Sequence, residues 1–224
     1  MKIRGIMSVL LVAIAGMLGA LSAPGIAMAE TQGQGTRPMT TDFDHERLRT
    51  HVTGVGPWVV YQDPSVVGAT FEYPQNWVVG SEIGREQPYR QVIILGPRNP
   101  ENTWSTGLTI RQYPTKAAGG LYPSLQALIE ARRKQYGSNA SFQRIEEGAR
   151  PLGDLQTWQS VFTYVVPLPP HSVQAKPTAI QTRLVLFAAG DALYEVSYTA
   201  DASQYPTYQD VFDHLLQTLK LITP

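Results

Sequence analysis

Three long runs of β-branched and aromatic residues crowd the last third of the chain: Leu155–Val166, Ala179–Ala188 and Ala192–Ala200. Between the last two sits Gly190-Asp191, a two-residue hairpin turn in which glycine supplies the positive φ that such turns require. In the final run Tyr194, Val196 and Tyr198 alternate with Leu193, Glu195 and Ser197, so successive side chains are sent to opposite faces. Strands joined this tightly must pair antiparallel. Whatever else the chain builds, it builds around an antiparallel sheet.

The elements before this block fit the same plan. Trp58–Tyr61 and Val66–Tyr73 read as strands, the second with Val67, Ala69, Phe71 and Tyr73 on one face. Trp77–Val79, Gln91–Leu95 and Gly107–Tyr113 follow. In Gly107–Tyr113, Leu108 and Ile110 point one way and Thr109 and Arg111 the other, the pattern of a half-buried strand. Ser124–Tyr136 reads as a helix. Ser124 is its N-cap, Leu125, Leu128, Ile129 and Arg132 recur at helical spacing, and Gly137 stops it. A closing helix over 204–219 opens at Thr207 and Asp210 with capping-box spacing and carries a stripe of Val211, Phe212, Leu215, Leu216 and Leu219. The order strands, helix, strands, helix predicts an α+β fold with an antiparallel sheet.

The N-terminus is an address. Lys2 and Arg4 precede an apolar run from Ile6 to Leu21, and Ala27-Met28-Ala29 gives the small-x-small pattern of a signal-peptidase site. The run is short for a membrane span, which takes about 20 apolar residues, so a cleaved signal is expected, the alternative being an uncleaved N-terminal anchor. The expected organisation is a signal peptide over 1–29, a flexible leader over 30–56 and one domain over 57–224. Within the leader, Asp42–His51 has enough pattern for a turn or two of helix. Its apolar content, Phe43 and Leu48, is too thin to hold it without packing. Cleavage after Ala29 leaves 16 basic against 18 acidic side chains. A chain of that balance has no electrostatic footprint for nucleic acid. There is no cysteine, hence no disulfide, thiolate site, cysteine nucleophile or lipid-modified N-terminal cysteine. The expected location is extracytoplasmic, peripheral to a membrane at most.

Chemistry-bearing motifs are sparse. The four histidines, His45, His51, His171 and His214, form no metal-binding pair, and Asp44-His45-Glu46 lies in the leader. No nucleophile elbow, phosphate loop, dinucleotide fingerprint or calcium-hand loop occurs. A non-catalytic role is therefore expected. The candidate partner contacts are Trp104, His171, Arg132 and Arg133. Trp104 lies in the polar stretch Gly96–Ser105, where it is either a core residue or an exposed anchor. His171 lies in the proline-stiffened loop Pro167–Pro177. These two loops are either preformed recognition elements or spacers. Arg132 and Arg133, with Lys134, are either a partner patch or a solvated last turn complementing the helix dipole.

Taken in order, several of these segments resemble the PsbP family of photosystem II extrinsic proteins. Gly68-Ala69-Thr70-Phe71-Glu72-Tyr73-Pro74-Gln75-Asn76-Trp77 looks like the opening strand and turn of PsbP-type domains. Gly153-Asp154 to Tyr164 and Arg183 to Ala188 are similar to the central hairpin. Gly190-Asp191-Ala192-Leu193-Tyr194-Glu195-Val196 resembles the following strand, and Tyr208–Ile222 the closing helix and its exit. The resemblance implies an α/β/α sandwich around a central antiparallel β-sheet. It also implies a non-catalytic protein of the lumenal side of photosynthetic membranes that contacts photosystem II and supports calcium and chloride retention at the oxygen-evolving complex or its assembly, with calcium as the ion the protein itself would bind. In a host without photosystem II, the alternatives are a periplasmic small-ligand or ion-binding accessory protein and a hydrolase with a dispersed site.

Overall fold

The computed structural model describes residues 52–84, 88–169 and 172–222. The predicted signal peptide and His45, His51 and His171 fall outside them. The described residues form eleven strands: β1 (Trp58–Val60), β2 (Ala69–Thr70), β3 (Glu72–Pro74), β4 (Val78–Ile83), β5 (Arg90–Arg98), β6 (Ser105–Pro114), β7 (Gln143–Leu152), β8 (Leu155–Leu168), β9 (Lys176–Ala189), β10 (Ala192–Asp201) and β11 (Lys220–Leu221). Among the described residues the α-helices are α1 (Pro64–Val67), α2 (Leu125–Gly137) and α3 (Tyr205–Thr218). Seven strands form one antiparallel sheet in the order β4-β5-β6-β10-β9-β8-β7, and β1-β3 and β2-β11 form two small ribbons. The α+β class is as expected.

The β9–β10 hairpin pairs Ala189 with Ala192 across Gly190, whose φ is 55°. That is the two-residue turn the sequence requires. Alternation along the central strands feeds two interiors. Val185, Phe187, Tyr194, Val196 and Tyr198 join α3 residues Val211, Phe212, Leu215 and Leu216 in one core cluster. Leu184, Leu186 and Leu193 join α2 residues Leu128 and Ile129 in another. Both sides of β6 are consequently covered: Thr109 is 9% exposed and Arg111 4%. The half-buried reading of that strand is corrected by α2, which lies over what the alternation alone assigns to water.

Three local readings also change. The expected strand Val66–Tyr73 is interrupted, because Pro64 starts a helical turn that ends at left-handed Gly68, φ 61°. α3 begins at Tyr205 with Pro206 in its first turn and Gln204 as an N-cap without a side-chain bond, so Thr207 and Asp210 are already inside the helix. Strands β8 and β9 run further than their apolar stretches, to Leu168 and from Lys176, and pair Pro167 with Pro177. The two ends of the expected proline loop, Pro167–Leu168 and Lys176–Pro177, are therefore ladder. By contrast, Ser124 caps α2 as expected, accepting from the Ala127 amide at 3.3 Å.

Candidate functional site: a buried arginine–glutamate–arginine cluster

The sheet register places Glu195 on β10 directly opposite Arg111 on β6, and Arg111 opposite Gln91 on β5. All three side chains share the face that α2 covers, and Arg132 comes down from α2 to meet them. Glu195 is 3% exposed and both arginines 4%. Its two oxygens are divided between them. Arg132 Nε donates to Oε2 at 2.6 Å and Arg111 Nη1 to Oε1 at 3.3 Å.

The remaining donors are used on neutral partners. Arg111 Nε and Nη2 both donate to Gln91 Oε1, at 2.7 and 2.5 Å, and Gln91 Nε2 donates to Glu82 Oε2 at 2.5 Å. The Tyr113 hydroxyl accepts from Arg111 Nη1 at 3.1 Å and Arg132 Nη2 at 2.5 Å, and itself donates to Glu195 Oε2 at 3.4 Å. Arg132 Nη1 donates to Gln135 Oε1 at 3.1 Å. Tyr89 lies 5.0 Å from the Arg111 guanidinium, and Tyr113 lies 5.5 Å and Tyr122 6.0 Å from that of Arg132. One polar chain thus runs from β4 across β5, β6 and β10 to α2.

Electrostatics fixes the protonation of this chain. Burial alone would raise the Glu195 carboxyl, but the attraction of Arg132 and then Arg111, with hydrogen bonds from Arg132 and Tyr113, holds it below the ordinary glutamate value. Burial would lower Arg132, and the charge of Glu195 overrides this and raises it well above normal. Burial and the neighbouring Glu195 push the Tyr113 phenol up despite both arginines. The cluster is a fixed ionised triad around a neutral phenol at any pH near neutrality.

Of the four expected contact residues, Arg132 alone belongs to this cluster, and it is neither a partner patch nor a solvated dipole-capping charge. Its position on the apolar stripe of α2 carries it inward, and Glu195 compensates it there. Arg133, one residue on, has a side chain 43% exposed, pairs with Glu147 and lies 5.5 Å from the Trp158 ring. Trp104 is 5% exposed and is a core residue, not an exposed anchor. Asn99 Oδ1 accepts from the Thr103 and Trp104 amides at 2.8 and 2.9 Å, turning the loop so that the indole enters the α2-side core. The same Asn99 donates to Asp201 Oδ2 at 3.2 Å, tying the loop to the end of β10.

Arg111, Glu195, Tyr113, Gln91 and Glu82 have no motif in the sequence. The available signal was a charged residue at the alternate position of each central strand, meaningful only once the register sets Arg111 against Glu195. A second constellation lies on the α3 side. His214 Nε2 meets Glu72 Oε2 at 2.7 Å, and the His214 ring stacks on Trp58 with centroids 3.8 Å apart. Among the described residues no three His, Asp or Glu side chains converge on one point. A calcium ion takes six to eight oxygen ligands. The described residues do not fit the ion that the family resemblance implies, since their buried carboxylate, Glu195, is spent on arginine. No helix among the described residues is long and apolar enough to cross a membrane.

No protein-family model matches the chain, and no curated protein matches it. Solved structures of similar shape include PA94, a protein of unknown function from Pseudomonas aeruginosa, at 11% identity over 75% of this chain and 99% of that one, TM-score 0.46. Another is cyanobacterial PsbP from Synechocystis sp. PCC 6803, at 11% identity over 75% of this chain and 94% of that one, TM-score 0.44. A third is LpqN of Mycobacterium tuberculosis, described as involved in cell envelope biogenesis, at 13% identity over 84% of this chain and 87% of that one, TM-score 0.38.

Proposed function

We propose that this chain is an exported, non-catalytic accessory protein with the α/β/α layering of PsbP-type domains, working by contact with a protein partner on the far side of a membrane. The observation that carries the reading is the state of its buried charges. Glu195, Arg111 and Arg132 neutralise one another, and Tyr113 stays protonated between them. A general acid or base works best with its pKa near the operating pH. These groups are driven away from it in both directions, which suits a rigid scaffold. The signal-like N-terminus supports export, and the ordered run from Gly68 to Trp77 and from Gly190 to Val196 supports the family. In a host with photosystem II, the partner is its lumenal face.

The test has two parts in the native host. Fractionation and mass spectrometry should find a chain beginning at Glu30 in the extracytoplasmic fraction; a full-length chain in the cytosol refutes export. Deleting the gene in a photosystem II host should lower oxygen evolution under limiting calcium or chloride. Unchanged evolution and unchanged photosystem II assembly refute the photosynthetic role.

A further inference from the structure

The β1–β3 ribbon lies against α3 and leaves one of its edges open. The Tyr61 amide donates to the Phe71 carbonyl at 2.9 Å, and the Gln75 amide to the Pro57 carbonyl at 2.8 Å. Pro57, Val59 and Tyr61 therefore turn their backbone groups toward β3. The alternation of an antiparallel pair sends the N–H and C=O groups of Trp58 and Val60 the other way. Among the described residues β3 is the one strand paired with β1. The Val60 carbonyl accepts from Gln62 Nε2 at 3.2 Å. The Trp58 amide and carbonyl and the Val60 amide have no partner among the described residues.

The side chains do not guard this edge. The outer strand β7 carries Arg144, Glu146, Glu147 and Arg150, whereas β1 is Trp-Val-Val. Charge on an edge strand discourages pairing, and an uncharged edge admits it. Trp58 is 37% exposed and Val60 44%. The open face is also built in advance. Trp58 and Val60 point to one side of β1, and Glu72, the register partner of Val60, points to the same side. His214 from α3 touches both: its ring stacks on Trp58 at 3.8 Å, and its Nε2 meets Glu72 Oε2 at 2.7 Å. The indole is held in place on one face. Glu72, its side chain 35% exposed, keeps Oε1 unengaged among the described residues. An anchor and an acceptor already in position reduce the ordering that binding requires.

We propose that the open edge of β1 receives an extended segment of the protein partner as an added strand. An aliphatic side chain of that segment lies on Trp58 and Val60, and a lysine or arginine reaches Glu72 Oε1. The inference rests on the protein-contact reading above and adds the surface and the partner's chemistry. Unpaired backbone groups select an extended main chain, because a helix has already bonded its own. The exposed apolar pair and the unengaged carboxylate oxygen select its side chains. Neighbouring strands are about 4.8 Å apart, so the added strand lies about 10 Å from β3, within reach of a long cationic side chain.

The probe is a phage-displayed library of random dodecapeptides, selected on the immobilised mature chain and then synthesised singly. Trp77, Trp104 and Trp158 are 1%, 5% and 9% exposed, so a shift in tryptophan emission on titration reports Trp58. The selected peptides should share an apolar residue two positions from a lysine or arginine, and should shift that emission. Methylating the backbone nitrogens at one alternate set of peptide positions should weaken binding by about tenfold, and at the other set should not. Val60→Pro removes an outward N–H and no ladder bond, and Glu72→Gln removes the charge; each should also cost about tenfold. Circular dichroism verifies that both variants fold, and the methylated peptides test the same bonds on the unaltered protein. A selection without binding peptides overturns the proposal, as does equal binding to wild type and both variants, or binding indifferent to methylation. A dimer of the mature chain that Val60→Pro abolishes overturns it too, by assigning the edge to a second copy. No host extract enters these measurements, so their failure leaves the exported-accessory reading standing; that reading falls by the fractionation and deletion tests instead.

Discussion

At the scale of single residues, Glu195 is the buried charge on which both buried arginines depend. Breaking a buried ion pair by deleting one partner costs about 3–5 kcal/mol, because the surviving charge is left without compensation. Glu195→Gln strands two guanidiniums, so we expect a loss of that order, read as a lower denaturant midpoint. Arg132→Met leaves a one-to-one Arg111–Glu195 pair and should cost less. The pH dependence has a definite sign. The folded carboxyl of Glu195 lies below its ordinary value, so its contribution is complete above the unfolded value near ~4.3 and is lost as pH falls toward the folded one. Wild type should therefore lose stability below about pH 4 more steeply than Glu195→Gln. Parallel acid limbs for the two proteins would remove Glu195 from the account. Trp104→Ala makes a second residue-scale test. Its indole is buried, so truncation should destabilise by about 3–5 kcal/mol. Loss of a partner with an unchanged melting temperature would instead restore the surface-anchor reading.

Elements show where the sequence was readable and where it was not. The β9–β10 hairpin and α2 were legible, because a turn glycine and a serine cap state their own geometry. β7 was not: Gln-Arg-Ile-Glu-Glu-Gly-Ala-Arg-Pro-Leu has no alternation, since an outermost strand contributes little to either core. Its legible features are protective ones. Arg144 and Arg133 both pair with Glu147, Arg150 pairs with Glu146, and Pro151 removes a donor, which together blunt a ten-residue edge against association. The central cluster was half legible. Arg132 stood on the apolar stripe of a predicted helix, and a charge at such a position announces a buried partner, but naming Glu195 required long-range register. For α3, Phe212 is 0% and Leu216 5% exposed in the core it shares with Tyr198 and Val211. Phe212→Asp adds a buried charge to a lost aromatic and should destabilise by at least about 3 kcal/mol. Near-normal melting of that variant would mean that α3 does not cover the sheet.

For the molecule as a whole, the two interiors share one chemical peculiarity: both are built on tyrosine. Tyr198 lies in the α3-side core, where its hydroxyl donates to the Tyr205 carbonyl at 2.7 Å, and Tyr113 and Tyr164 lie in the α2-side core. Burial pushes all three phenols up, Tyr164 to about 12 and the other two further. An unfolded phenol ionises near ~10. A folded pKa raised above the unfolded one contributes stability that is complete below the unfolded value and lost as pH rises beyond it. Both layers should therefore fail together under alkali. We expect a melting temperature nearly flat from neutrality to about pH 9 and falling steeply beyond about pH 10. Near-ultraviolet titration should resolve the eleven tyrosines into an exposed set that ionises reversibly and a buried set that ionises only with loss of the far-ultraviolet sheet signal. The two layers are joined through the same strands, so one cooperative transition is required. If all the phenols titrate as a single class near pH ~10 while the sheet signal persists, the tyrosines are not sealed between the helices and the sheet.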